Sequence, residues 1–293
     1  MARKISSNKL LHSLKDGKLK GAMQYVAENK NDLSLQIRDN YLTVYYRGGN
    51  ILNIKGKNNF TFDGNYFGKN NPNKQEEMNE LLLFYRKEYQ KYFDKVKEVV
   101  ENWEKSKKDR REFVVQQKIA TKNQDINGRF IILDMEYGFS QARIPKDDRL
   151  SRAKFDLLAI EHNSGKVVFF EVKKGLKALE NKSGIKSHIN DFEKFLYTDK
   201  NKEIYRSNLE IDIMNIVSAK KTLGFLDYSL PDNFSVKEVD FAFIFEPDDD
   251  SNVAEIEEYK RIFNNEHKES EGSSKSYSTF CVSPENYILN NPM

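Results

Sequence analysis

Cysteine is almost absent from this chain of 293 residues. The single Cys281 excludes a disulfide within the chain and any zinc site built from several cysteines. No apolar run approaches the roughly 20 residues that a helix needs to cross a membrane. The basic N-terminus also lacks the apolar core of a signal peptide. We therefore expect a cytoplasmic protein that does not enter a membrane.

A Gly-rich phosphate loop and internal repeats are missing as well. The net charge is only +3, so the overall charge says little about partners, but its distribution says more. Residues 172–188 hold five lysines and one acid, whereas residues 246–271 hold ten acids and three bases. A nucleic-acid backbone would be attracted to the first segment and repelled by the second.

The residue pattern changes twice in the first third of the chain. Residues 7–30 have helical periodicity, and four short alternating runs between 33 and 62 predict an antiparallel β-meander. We interpret the aromatic residues of this meander as part of the core and the solvent-exposed face of a small sheet, in preference to a surface on which nucleic-acid bases stack. After a polar loop, a 3.6-residue apolar period predicts one long helix over 75–105. The predicted division is a helix and meander module at 1–73, a connecting helix at 74–106 and a third part at 107–293.

The third part alternates helices with apolar strands. The patterns predict a helix over 108–121, strands over 129–137, 154–160 and 167–173, helices from 183 and over 209–223, a strand over 239–245, a helix over 252–265 and an edge strand over 277–282. Continuous apolar strands are typical of sheets that are covered on both faces. We therefore predict an α/β (α+β) fold with a mixed sheet flanked by helices.

The most informative stretch is 154–173, where two apolar runs flank a polar turn and so predict a β-hairpin. Asp156 lies inside the first run, and Glu171 and Lys173 end the second. Side chains alternate along a strand, so Glu171 and Lys173 point the same way, and Asp156 on the paired strand can join them. Charges that converge on a buried hairpin need a partner, and Mg²⁺ is a cation that suits carboxylate oxygens.

Asp156 followed by Glu171-Val172-Lys173 at the end of an apolar strand resembles the PD-(D/E)XK nuclease superfamily. That superfamily includes restriction endonucleases, Holliday-junction resolvases and RecB-type nucleases. Its motif is loose, and Phe155 stands here where the motif has proline. The resemblance covers about 112–244. It implies a restriction-endonuclease-like αβββαβ core, which matches the predicted order of elements.

The resemblance also implies a hydrolase, a Mg²⁺- or Mn²⁺-dependent endonuclease that acts on DNA more than on RNA. Asp156, Glu171 and Lys173 would be the catalytic residues. The metal would be held by Asp156, Glu171 and the backbone carbonyl of Val172, while Lys173 orients the attacking water. In this interpretation, the N-terminal meander is a substrate-binding or partner-binding module, or a homodimer contact.

Several further residues are candidates for the same site. Arg152 and Lys154 precede Asp156 and are suited to clamp a phosphate. A third carboxylate is expected from either Glu112, in the helix over 108–121, or Glu136, near the end of the strand over 129–137. His188 is placed on the polar side of its helix, where a lone histidine is more often a surface or satisfied residue than a metal ligand, so we expect it at most to support the site.

The Glu-x-Lys pattern alone is weak evidence for a nuclease, because it occurs five times in the chain. Only the copy at Glu171 follows four consecutive apolar strand residues. If this copy has no function, its charged side chains lie at the end of a strand and point into solvent. The rival function is a non-catalytic nucleic-acid-binding or assembly protein that retains a nuclease-like fold, and a third option is an interaction protein whose working surface is the meander.

Overall fold

A computed structural model describes residues 3–66, 75–105, 111–124, 127–138, 154–179, 184–196, 202–248, 253–269, 277–290 and 292. By contacts the chain forms two compact units. The N-terminal unit comprises Ala2–Thr121 and Met214–Ser229, and the C-terminal unit comprises Lys122–Ile213 and Leu230–Met293. The three-part division predicted from the sequence stays a prediction.

The fold is mixed α/β, as predicted. The described residues form eight α-helices, an antiparallel sheet of four strands and a mixed sheet of five strands. Within the same ranges, no helix combines the length and the apolar character that crossing a bilayer requires.

The N-terminal unit begins with two helices and the meander. Its first elements are α1 (Asn8–Lys15), α2 (Lys20–Glu28), β1 (Leu33–Ile37), β2 (Leu42–Tyr46), β3 (Gly49–Gly56) and β4 (Asn59–Thr61). The strands pair antiparallel in chain order, which confirms the predicted meander. Arg47 and Gly48 join β2 to β3 with φ of 48° and 71°, as in the two-residue turns that suit twisted hairpins. A Cβ on Gly48 would lie 2.4 Å from Phe113 Cβ, so this position requires glycine.

The predicted long helix over 75–105 is interrupted in the structure. It forms α3 (Gln75–Tyr85) and α4 (Tyr89–Lys105). The chain leaves α3 through Lys87, which has φ 64°, and the N–H of Glu88 bonds the carbonyl of Leu83. Glycine usually occupies this left-handed position at a helix end. No glycine or proline marks the break, and the apolar periodicity continues across it, so the sequence predicts one helix.

Polar and aromatic residues of the meander are engaged by α4 and by α5 (Arg111–Lys122). The Tyr46 hydroxyl donates to Glu101 at 2.5 Å, and Arg47 binds Glu104 through two nitrogens at 2.5 and 3.1 Å. On α5, the Gln117 amide oxygen accepts the Gly48 N–H at 2.6 Å. These intramolecular partners hold side chains that a nucleic-acid stacking surface would need to keep available.

The C-terminal unit is built on the five-stranded sheet. Its strands are β5 (Phe130–Gly138), β6 (Lys154–Glu161), β7 (Val167–Lys174), β8 (Val239–Glu246) and β9 (Ser278–Cys281). They lie across the sheet in chain order. The pairs β5–β6 and β6–β7 are antiparallel, whereas β7–β8 and β8–β9 are parallel. All of β7 except Lys174 is buried, as expected for a sheet covered on both faces.

Helices and aromatic side chains complete this core. The remaining elements are a 3₁₀ turn (Leu176–Leu179), α6 (Ile185–Leu196), α7 (Lys202–Thr222) and α8 (Val253–Glu269). Phe192 of α6 stacks on Phe241 of β8 with ring centres 4.7 Å apart. Tyr259 of α8 stacks on Phe245 of the same strand at 4.3 Å. These rings form an aromatic layer that packs α6 and α8 against β8, the strand that pairs with β7.

Candidate active site

Asp156 is fixed against β7 where the regular pairing of the hairpin ends. The antiparallel ladder extends as far as Leu157 opposite Phe170. One step further, Asp156 Oδ2 accepts a hydrogen bond from the backbone N–H of Val172 at 2.8 Å. A side-chain oxygen thus replaces a backbone carbonyl in the ladder, and it brings the carboxylate to the segment that carries Glu171.

Glu171 and Lys173 form a buried ion pair on β7. Lys173 Nζ lies 2.8 Å from Glu171 Oε1, and the side chains are only 3% and 5% exposed. Both residues point the same way, as strand alternation predicts. A buried pair is costly to desolvate, and apolar residues of similar size often stabilise a core as well or better. The pair is therefore a candidate for function and a poor explanation of stability.

The carboxyl of Asp156 resists ionisation. Desolvation raises the pKa of Asp156 well above its ordinary value, and the charge of Glu171 raises it further. The Val172 N–H and the Lys173 ammonium oppose this shift in part. The two carboxylates are thus close enough to repel each other, and a divalent cation bound by both would relieve the repulsion.

Glu136 is the third acid that acts on this site. It lies in β5 between Met135, opposite Leu157, and Tyr137, opposite Phe155. Its charge also raises the pKa of Asp156. Glu136 has a left-handed backbone, with φ 54°, which costs roughly 1–3 kcal/mol for a residue with a Cβ. Backbone strain of this kind concentrates at functional sites.

The two acids proposed from the sequence as third carboxylate thus fall in different units. Glu136 lies on the strand beside Asp156, and its side chain is 3.4 Å from Lys154 Nζ. Glu112 lies on α5 in the N-terminal unit, so its role as a metal ligand stays a prediction.

His188 lies against the buried pair. Its Nε2 lies 3.0 Å from Glu171 Oε1 and 3.3 Å from Lys173 Nζ. On α6, His188 follows Ile185 by three residues and precedes Phe192 by four, and its side chain is 24% exposed. Those two residues are buried, so helical spacing sets His188 at the edge of the apolar stripe. This spacing was the available signal.

The remaining predicted residues are less constrained. Lys154 is 67% exposed, and its 3.4 Å pair with Glu136 is of a kind that contributes little to stability. Arg152 lies outside the described residues. The Val172 N–H is committed to Asp156, and the role of its carbonyl as a metal ligand stays a prediction. Next along β7, Lys174 binds the buried Glu246 at 2.7 Å, which is a structural contact.

The donor set fits a hard divalent cation. In the part of the chain that the structure describes, no group of three or more His, Cys, Asp or Glu side chains is arranged to hold a metal. Zinc sites use such groups, whereas Mg²⁺ typically takes one or two carboxylates and keeps several waters. Asp156 and Glu171 supply the two carboxylates, and a cation bound by both would offset the effect of the Glu171 charge that helps to raise the pKa of Asp156.

Comparison with known proteins adds no independent assignment. No family model, no curated protein and no solved structure matches the chain significantly.

Proposed function

We propose that this protein is a metal-dependent nuclease that hydrolyses phosphodiester bonds, with DNA preferred over RNA. The observation that carries the proposal is the buried Glu171–Lys173 pair next to Asp156 on one hairpin. The preference for DNA rests on the resemblance to PD-(D/E)XK nucleases alone.

Each residue of the trio has a distinct task. Asp156 and Glu171 would hold Mg²⁺ or Mn²⁺ through their carboxylate oxygens. The bound ion supplies Lewis acidity for the phosphate oxygens and for the attacking water. Lys173 would hold the attacking water and set a fixed positive charge beside the phosphate, where negative charge develops in the transition state.

The topology supports the restriction-endonuclease-like fold that the resemblance implies. The described elements run α5, β5, β6, β7, α6, α7, β8, which follows the expected αβββαβ order with one additional helix, α7, before β8; α5 belongs to the N-terminal unit. The sheet is mixed, with an antiparallel hairpin that carries the trio and a parallel β8 beside it. In this interpretation β9 extends the sheet at its far edge.

Substrate binding would come from basic residues around the trio. Lys154, Lys177 and Lys186 are exposed on β6, the 3₁₀ turn and α6. Phosphate contacts from several lysines give affinity that depends little on base sequence and falls with salt. Arg152, two residues before Lys154 in the sequence, would add a bidentate contact. The N-terminal meander would bind substrate, a protein partner or a second copy of the chain.

A cleavage assay tests the proposal. Linear, circular, single-stranded and branched DNA and RNA are incubated with the protein in Mg²⁺, in Mn²⁺ or in EDTA. We expect cleavage of DNA that EDTA abolishes, and loss of the circular form identifies endonuclease action. Nucleic-acid binding without cleavage of any substrate would contradict the proposal and favour the non-catalytic binding protein.

A further inference from the structure

Two donors from different elements converge on one oxygen of Glu171. Lys173 Nζ lies 2.8 Å from Glu171 Oε1, and His188 Nε2 lies 3.0 Å from the same oxygen. Lys173 is two residues from Glu171 on the same strand, so it moves with the carboxylate. His188 belongs to α6, so it ties the carboxylate to a separate element.

The shorter of the two contacts of His188 Nε2 favours an imidazole that carries its hydrogen on this nitrogen. A bare Nε2 at 3.0 Å from a carboxylate oxygen would oppose two lone pairs, whereas an Nε2–H at this distance can donate to Glu171. The 3.3 Å approach of Lys173 Nζ to His188 Nε2 is then a contact between two donors that share one acceptor.

The helix that carries His188 is itself firmly placed. Ile185 and Ile189 are completely buried, and Phe192 stacks on Phe241 with ring planes 15° apart. The His188 side chain is 24% exposed, whereas those of Glu171 and Lys173 are nearly inaccessible. The imidazole therefore lies between the buried pair and solvent. Through His188, the Glu171 carboxylate is linked to α6, whose position is held by the aromatic layer.

We propose that His188 is a positioning residue that holds the Glu171 carboxylate in its metal-binding orientation through the Nε2–H bond. This role rests on the proposed metal site and adds a residue outside the Asp, Glu and Lys motif. Lys173 must direct its charge to the phosphate, and His188 keeps Glu171 oriented while Lys173 does so. Donors that hold a metal-binding carboxylate contribute about 10–100-fold to metal affinity or activity.

Two substitutions separate the donor from the ring. Gln carries an amide N–H at nearly the reach of Nε2, whereas the shorter Asn does not reach Glu171. Binding of Mn²⁺ alone is measured by calorimetry or electron paramagnetic resonance on wild type, His188→Gln and His188→Asn. The exposed His12, with a side chain 75% accessible, provides His12→Asn as the matched control. Thermal unfolding verifies that each variant is folded, and His188→Met replaces the Asn variant if the latter is not.

We expect His188→Asn to weaken Mn²⁺ binding about 10–100-fold, while His188→Gln stays within about 3-fold of wild type and His12→Asn is unchanged. In DNA cleavage, His188→Asn should lower kcat and leave KM unaltered. Wild-type affinity in His188→Asn would overturn the proposal, and so would equal losses in the Gln and Asn variants. If wild type binds Mn²⁺ but cleaves nothing, the nuclease proposal fails and the affinities alone decide the role of His188. If wild type binds no Mn²⁺ at millimolar concentration, the metal site and this role both fail.

Discussion

The Asp156 carboxylate and the Val172 backbone N–H are joined by a hydrogen bond of 2.8 Å, so a side chain continues the ladder between β6 and β7. Asp156 therefore has a structural task in addition to any task in metal binding. A substitution at this position must preserve the acceptor if it is to report on chemistry alone.

Asp156→Asn meets that requirement, because the amide oxygen can still accept the Val172 N–H. We expect cleavage to fall by a factor of about 10²–10³ or more, as for loss of one preorganised electrostatic group. DNA binding should survive, since affinity comes from dispersed lysine–phosphate contacts. Single-turnover cleavage and fluorescence anisotropy measure the two effects. Asp240→Asn, on the exposed surface of β8, is the control, and full activity in Asp156→Asn would contradict the assignment.

The raised pKa of Asp156 makes the metal-free protein sensitive to pH. A carboxyl with a raised folded pKa binds its proton more tightly in the native state, so the free energy of unfolding falls as pH rises from the ordinary Asp pKa through the folded one. Asp156→Asn cannot ionise and should escape this fall. In EDTA at pH 8 we expect a higher unfolding free energy for Asp156→Asn than for wild type, by urea titration, and the gap should close at low pH. A less stable Asn variant at pH 8 would contradict this.

Lys173→Ala should expose the cost of a buried, unpaired Glu171. Removing one partner of a buried ion pair costs about 3–5 kcal/mol, and His188 compensates only in part. Mg²⁺ should therefore raise the Tm of Lys173→Ala more than that of wild type, because the ion replaces the lost positive charge. Lys174→Ala, which loses its bond to buried Glu246, is the control: it should be destabilised without a larger response to Mg²⁺. Equal Mg²⁺ responses in all three proteins would exclude a metal at Glu171.

The left-handed backbone of Glu136 predicts a trade-off between stability and function at this position. Glu136→Gly relieves the strain and should raise the free energy of unfolding by about 1 kcal/mol. Glu136→Gln keeps the strain and removes only the charge, so it separates the two effects. If Glu136 supports the metal site, both variants should bind Mn²⁺ more weakly than wild type. A lower free energy of unfolding for Glu136→Gly than for Glu136→Gln would contradict a strained backbone at this position.

Much of the fold follows from local patterns in the sequence. The hairpin of β6 and β7, the strand β8 and the helix α8 all appear where apolar runs and helical periods place them. These signals work because burial imposes a period of 2 or 3.6 on the side chains. The break at Lys87 escaped because a lysine occupies the position that glycine usually marks.

The geometry around the motif is less accessible from sequence. The pair on β7 was predictable because Glu171 and Lys173 lie two residues apart on one strand. Helical spacing sets His188 beside the apolar stripe of α6, but its contact with Glu171 depends on how α6 packs against the sheet. The left-handed conformation of Glu136 also depends on the neighbouring strand, since glutamate as a residue type does not favour a positive φ.

The identity between chain order and strand order in the five-stranded sheet has a consequence for synthesis on the ribosome. The β5–β6–β7 part closes through antiparallel neighbours, and isolated hairpins form in about 1–10 μs, far faster than translation. The parallel strand β8 emerges only after α6 and α7, and it finds the edge of β7 already in place. β9 then adds to β8 in the same manner. The sheet can thus grow from one edge as the chain is made, and no completed pairing has to open to admit a later strand.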